Sequence, residues 1–279
     1  MIAAGRKEWG QNKADPTRTN RYRIPMSHLL TSRNELCALH DLLKLVLEQG
    51  KPNGNYLEIL NCLLSVEYHP ADWQQFCNFR EDFLRVGGEV AARGWSRASK
   101  VYTIAKDSPT KPSYLKRLID YPDRPRRAVA QQGGLDQLAK IAFELAKKPG
   151  YSNLSFVFLR PADLHDQFRP GYVPCPIAGD FKFRDSILNL SVMFRINDAF
   201  AVAYADLYYL RQIQLDVLAE AQKLTESDKL QHGSPGNLNI YFARTYIEKT
   251  KVIKTRDASK RVRVLPLVDQ LLKEVEAYW

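Results

Sequence analysis

The sequence predicts an α/β domain, and three stretches predict it. Residues 179–183 and 187–194 alternate apolar and polar side chains on either side of Arg184-Asp185-Ser186, the pattern of a β-hairpin. Residues 198–223 then become Ala- and Leu-rich without Gly or Pro, which reads as a long helix. Residues 34–49, NELCALHDLLKLVLEQ, place apolar side chains at helical spacing behind Asn34, a natural N-cap, and stop at Gly50. The length of 279 residues suits one large α/β domain or two small ones, and 45% apolar with 26% charged residues is a globular composition.

The other elements follow in order. Residues 1–33 are polar and basic, with Arg18, Arg21 and Arg23, and read as an N-terminal arm. After the helix at 34–49 comes the turn KPNGN. A helix is expected over residues 56–66 and another over 70–86, ended by Gly87-Gly88. Residues 89–113 are mixed, carry Trp95 and Tyr102, and close in the loop DSPTKPS. A short helix over 115–121 leads into YPDRPRRAVAQ. A helix over 135–148 and a strand over 153–159 precede a loop with His165, where a structural or exposed histidine is the commoner case and a proton shuttle the rarer one. Beyond the long helix, a polar loop leads to a strand over 236–252, a basic run over 249–263 and a closing helix over 268–278.

Composition excludes several classes. No apolar run approaches the ~20 residues of a membrane span, and the first residues lack the apolar centre of a signal peptide. Cys37, Cys62, Cys77 and Cys175 have neither CxxC nor metal spacing, so reduced thiols in a cytoplasmic compartment are expected. The five histidines form no HExxH or HxE pattern, and no metal site is expected. The net charge of +10 suits an anionic partner, a nucleotide phosphate, a polyglutamylated folate or nucleic acid; solubility alone is the plainer explanation.

Residues 174–209, PCPIAGDFKFRDSILNLSVMFRINDAFAVAYADLYY, carry a resemblance. Arg195 stands 20 positions after Cys175, Asp198 a further 3 and Asp206 a further 8. In type and spacing these residues resemble the thymidylate synthase superfamily. Its motif is a Pro-Cys nucleophile, a hairpin whose second strand ends in Arg-Ser, an Asp, and an Asn on a helix. The phrase DFKFRDSILNLSVMFRINDAF is similar to the archaeal and phage branch. The resemblance covers about 35 residues and implies a mixed twisted β-sheet with covering helices, a homodimer formed through the sheet, and 5,10-methylenetetrahydrofolate as cofactor. It makes residues 1–279 one domain, with 132–174 as an insertion.

The resemblance implies a set of roles. Cys175 is the nucleophile, a thiolate that adds to C6 of a pyrimidine and makes C5 nucleophilic. Arg195, with Arg126 and Arg127 from the partner subunit, clamps the 5′-phosphate in bidentate geometry. Asp198 orders water or the folate ring. Asp206 faces the base. The plain alternatives are a small buried thiol, a strand-end charge, a basic strand start, a helix N-cap and a solvated helix residue, respectively for Cys175, Arg195, the Arg126-Arg127 pair, Asp198 and Asp206.

The departures matter. Pro176 follows the nucleophile where the family has His, and Ile196 replaces the Ser after the arginine. Tyr246 and Glu248 stand where a His-x-Tyr pair would bind the sugar. The position of an early-helix Glu falls on Leu43, with Asp41 or Glu48 as substitutes. Asp206 replaces the family Asn: an ionised Asp only accepts, which suits the N4 amine of cytosine and repels O4 of uracil. Such a site rejects the other base by up to roughly 10⁴-fold. The expected activity is therefore C5 hydroxymethylation of dCMP or CMP. Methylation of dUMP is the near alternative. A catalytically inactive relative that binds nucleic acid or a protein through its basic face is the distant one. Trp279 would close over the site.

Overall fold

The computed structural model describes residues 28–86, 102, 112–121, 134–165, 173–249, 252–254 and 261–277. Its strands are β1 (His28–Ser32), β2 (Lys51–Asn53), β3 (Tyr56–Val66), β4 (Ser155–Val157), β5 (Pro176–Arg184), β6 (Ile187–Phe194), β7 (Asn197–Asp198) and β8 (Ser234–Glu248). They form one open, mixed sheet in the order β1-β3-β8-β6-β5-β4, with β2 beside β3 and β7 beside β8. β1/β3, β6/β8 and β7/β8 are parallel; the other pairs are antiparallel. A separate antiparallel pair joins β9 (Val252–Lys254) to β10 (Arg261–Arg263).

The helices are α1 (Glu35–Gln49), α2 (Pro70–Val86), α3 (Tyr114–Ile119), α4 (Gln137–Lys147), α5 (Pro161–His165), α6 (Ala203–Leu224), α7 (Asp228–Gln231) and α8 (Val264–Glu276). α1 packs on β1, β3 and β8, and α6 on β6 and β8; α4 lies against α6, and α8 against α1 and α2. Among these described residues no helix is long and apolar enough to cross a membrane.

The register separates the two faces of the sheet. Leu30, Leu64, Ile240, Val192, Gly179 and Phe156 are cross-strand partners in one row, and the row points into the core under the helices. A Cβ on Gly179 would meet the Phe156 ring at 2.2 Å, so only glycine fits there. One residue along each strand, Leu29, Leu63, Tyr241, Met193, Ala178 and Val157 form a second row on the opposite face. Leu29 is 67% exposed, Met193 43%, and Leu63 and Val157 38% each. A polar row, Thr31, Ser65, Asn239, Ser191, Asp180 and Ser155, runs beside it.

The predicted hairpin is β5–β6. Asp185 (φ 52°) and Ser186 (φ 60°) both take the left-handed conformation that a two-residue hairpin turn requires. Asn34 caps α1, its side-chain oxygen accepting the Cys37 N–H at 2.8 Å. Within residues 132–174, expected as an insertion, β4 forms the edge of the sheet and Asp163 pairs with the buried Arg117.

Two stretches correct the sequence reading, and the first is residues 28–32, expected in the N-terminal arm but forming β1 of the sheet. Residues 56–66 are not a helix but β3, inside the sheet. The inward side chains change from Ile59 to Cys62 around Asn61, whose φ is 57°. That step of three, followed by Leu64 and Val66, mimics helical spacing in an apolar stretch. β8 makes the same change from Phe242 to Thr245, directly across the pair.

Arg211 of α6 ties the helices to the sheet. Fully buried, it donates to Glu35 Oε1 and Gln214 Oε1, both at 2.5 Å, and to the carbonyls of Gly236, Val66 and Glu67. Arg244 is a second, half-buried arginine: its Nε donates to Glu58 at 2.6 Å, and its guanidinium lies 5.1 and 5.0 Å from the Tyr56 and Tyr246 rings.

Candidate active site

Cys175 lies at the start of β5, and the end of β6 holds it. The Arg195 N–H donates to the Cys175 carbonyl at 2.9 Å. The Arg195 side chain turns back on the same segment: Nε donates to Pro174 O at 3.0 Å and Nη2 to Val173 O at 2.7 Å. On the other side, the Cys175 N–H donates to the Tyr114 hydroxyl at 3.1 Å. Three anchors therefore fix the backbone of a partly exposed thiol. Arg195 spends two of its donor nitrogens, Nε and Nη2, on this loop.

The remaining cysteines have no such setting. Burial pushes the Cys62 thiol up to about 12 and raises those of Cys37 and Cys77. Thiolate chemistry needs the opposite.

Asp198 pairs with Tyr246 where β7 meets β8. Its Oδ1 accepts the Ala201 N–H at 3.0 Å, and the Ala199 N–H continues the ladder to Tyr246 O. The predicted capping role thus applies to a turn, and α6 begins five residues later than expected, at Ala203. The Tyr246 phenol is pushed up to about 12 by burial, with Asp198, Tyr56, Cys175 and Glu248 adding to the effect. Tyr246 is thus near both Asp198 and Cys175.

Asp206, on the first turn of α6, is 3% exposed. It is not the solvated helix residue of the plain reading. Tyr102 donates its hydroxyl hydrogen to Oδ1 at 2.5 Å, and Asn197 Nδ2 donates to Oδ2 at 2.7 Å. Burial raises the carboxyl to about 7, although both donors pull it down. Each carboxylate oxygen has two lone pairs, so one bond apiece leaves acceptor capacity.

Tyr102 joins the two halves of the site. Its ring stacks on Tyr209 at 4.4 Å between centroids and meets Tyr114 edge-on at 4.8 Å. Its phenol is raised well above the ordinary range by burial, then by Asp206, Tyr114 and Cys175. Cys175, Arg195, Asp198 and Asp206 are therefore brought together, with Tyr102, Tyr114, Asn197 and Tyr246 between them.

Sequence reasoning missed Tyr114 and Asn197, noted Tyr102 without a role, and placed Tyr246 only at the sugar. Asn197 sat in view beside Asp198, in the place after the expected Ser; the tyrosines carried no local signal. Arg126, Arg127, Trp95 and Trp279 lie outside the described residues, as does the His165 side chain. The substitutes for the early-helix Glu are engaged elsewhere: Asp41 accepts from Ser32 Oγ, and Glu48 is an exposed partner of Lys44.

No family model matches the sequence, and no curated protein matches it. The chemical reading rests on the residues themselves. They provide a partly exposed thiol on an anchored loop, a guanidinium beside it, a buried carboxyl raised to about 7, and Asp198 close enough to the Tyr246 phenol to raise it.

Proposed function

We propose that the protein transfers a one-carbon unit to C5 of a cytidine nucleotide, dCMP or CMP, and leaves it as a hydroxymethyl group. The observation that carries this is the convergence of Cys175, Arg195, Asp198 and Asp206, spread over 31 positions, around one loop and one helix start. The reading is that of a thymidylate-synthase-like enzyme with a base-reading Asp.

On this reading the Cys175 thiolate adds to C6 and places the electron pair at C5. The cofactor, 5,10-methylenetetrahydrofolate, supplies the carbon at the oxidation level of formaldehyde. Asp198, an acceptor beside the Tyr246 phenol, suits the amino and amide edge of its ring. C5 would take that carbon and lose its proton as tetrahydrofolate departs, water would add to the resulting exocyclic methylene, and the thiolate would leave from C6. Arg195 Nη1 holds the phosphate, with Arg126 and Arg127 of a second copy.

Asp206 selects the base. A carboxyl poised near 7 exists in both forms at neutral pH. Its protonated form donates to N3 of cytosine while the other oxygen accepts from the N4 amine. Against uracil the ionised form sets its lone pairs against those of O4. A second copy of the chain is supported by the exposed apolar row Leu29, Leu63, Tyr241, Met193, Ala178 and Val157, too continuous for a solvated sheet face.

The test is tritium release from [5-³H]dCMP, CMP and dUMP with methylenetetrahydrofolate, beside Cys175→Ala. Release from a cytidine nucleotide, lost in the variant, is the expected result. Release from dUMP alone would move the reading to methylation of uracil. No release from any of them would favour a binding protein, and salt-dependent nucleic-acid retention would then be measured.

A further inference from the structure

We infer that Tyr102 is a positioning residue that holds the base-reading carboxylate and the nucleophile loop in register through one side chain. This rests on the proposed function for its substrate, but the relationship is written in the geometry. At one end the Tyr102 hydroxyl donates to Asp206 Oδ1 at 2.5 Å. Along its length the ring is wedged between Tyr209, stacked at 4.4 Å, and Tyr114, edge-on at 4.8 Å. The Tyr114 hydroxyl in turn accepts the Cys175 N–H at 3.1 Å. A line of contacts therefore runs from Cys175 through Tyr114 and Tyr102 to Asp206, and on through Asn197 to Thr245.

The groups facing Asp206 make Tyr102 decisive. Asn197 of β7 donates to the other oxygen, and Thr245 of β8 donates to Asn197. Tyr102 and Asn197 are the side chains that act on the Asp206 titration, and no lysine, arginine or histidine among the described residues does so. The orientation and proton affinity of the carboxyl are thus set by two neutral donors. A hydrogen bond to a charged acceptor is stronger than one between neutral groups. Removing the Tyr102 donor favours the protonated carboxyl and lets it rotate about the bond to Asn197.

Tyr102→Phe keeps the ring, its stacking and the fold, and deletes the hydroxyl alone. Two measurements test the inference. The first needs no substrate. The pH dependence of unfolding is followed from pH 5 to 9 for wild type, Asp206→Asn, Tyr102→Phe and the double variant. The difference within each pair isolates the Asp206 titration, and Tyr102→Phe is expected to move its midpoint upward by about one pH unit, tenfold in proton affinity. The second is the kinetics with a cytidine nucleotide. KM should rise about tenfold, kcat should fall less, and the alkaline-side optimum should shift with the midpoint.

An unmoved midpoint overturns the inference, as do wild-type KM and pH profile in Tyr102→Phe. If the midpoint moves but wild type consumes no pyrimidine nucleotide, Tyr102 still positions Asp206, and it is the substrate reading that fails.

Discussion

Arg195 holds Cys175 twice over. Its main-chain N–H donates to the Cys175 carbonyl at 2.9 Å, and its guanidinium grips the carbonyls of Val173 and Pro174 just before the thiol. Lysine would keep the charge and the main-chain bond but could not serve both carbonyls at once. Arg195→Lys should therefore melt close to wild type and yet lose about 10²-fold in kcat/KM, the scale of an ångström-sized misplacement. Steady-state kinetics beside a thermal melt would check this, and unchanged kcat/KM would remove the role.

The four cysteines should separate by reactivity. Iodoacetamide at neutral pH is expected to label Cys175 first. Cys62, fully buried with its thiol near 12, should stay unlabelled until the protein unfolds. Peptide mass spectrometry over a time course reads the order, and early labelling of Cys62 would contradict the packing of β3.

Asp206 should make the fold weaken as pH rises. Its folded value is raised by burial from 3.8 to about 7, so the folded state keeps a proton that the unfolded state releases. The associated stability is fully present below about pH 4 and is lost as pH climbs through 7, by up to about 4 kcal/mol. Asp206→Asn should flatten that slope and shift base preference toward uracil. Denaturant melts at pH 5 and 8 test the first part, and nucleotide competition the second.

The exposed apolar row should be a contact between copies. Leu63 and Met193 lie near its middle on β3 and β6. Changing both to Glu would place charges in a sheet-to-sheet interface, at a cost of several kcal/mol. Sedimentation should show a dimer for wild type and a monomer for the double variant. A monomeric wild type would leave Arg126 and Arg127 without a partner's site to complete.

Arg211 should matter more to stability than any surface charge. Replacing it with Met strands Glu35, already under-bonded at Oε2, in the interior. Loss of one member of a buried pair costs about 3–5 kcal/mol. Chemical denaturation measures this directly, and a cost below 1 kcal/mol would mean that the pair carries no net weight.

The legible parts of the chain were those whose determinants are close in sequence. The β5–β6 hairpin announced itself because Arg184-Asp185-Ser186 sits between two alternating runs. α1 did so because Asn34 caps the residue three positions on. β3 was misread because the face change at Asn61 broke the two-residue period. Cys175, Arg195, Asp198 and Asp206 were visible as a spaced set. Their partners were not: Tyr102 lies 104 positions from Asp206, and Glu58 lies 186 from Arg244. A phenol that finds its acceptor across the fold leaves no trace in either neighbourhood.

The order of strands also bears on how the molecule is made. β8, near the end of the chain, lies between β3 and β6, and β7 has its ladder only through β8. During synthesis the residues before Ser234 can form helices and the β5–β6 hairpin, but the two halves of the sheet stay unjoined. The early strands wait with unpaired edges until the ribosome has delivered Ser234–Glu248. A chain truncated before β8 would therefore keep Cys175 with its Arg195 and Tyr114 anchors but lose Tyr246 and the ladder that holds Asn197 and Asp198.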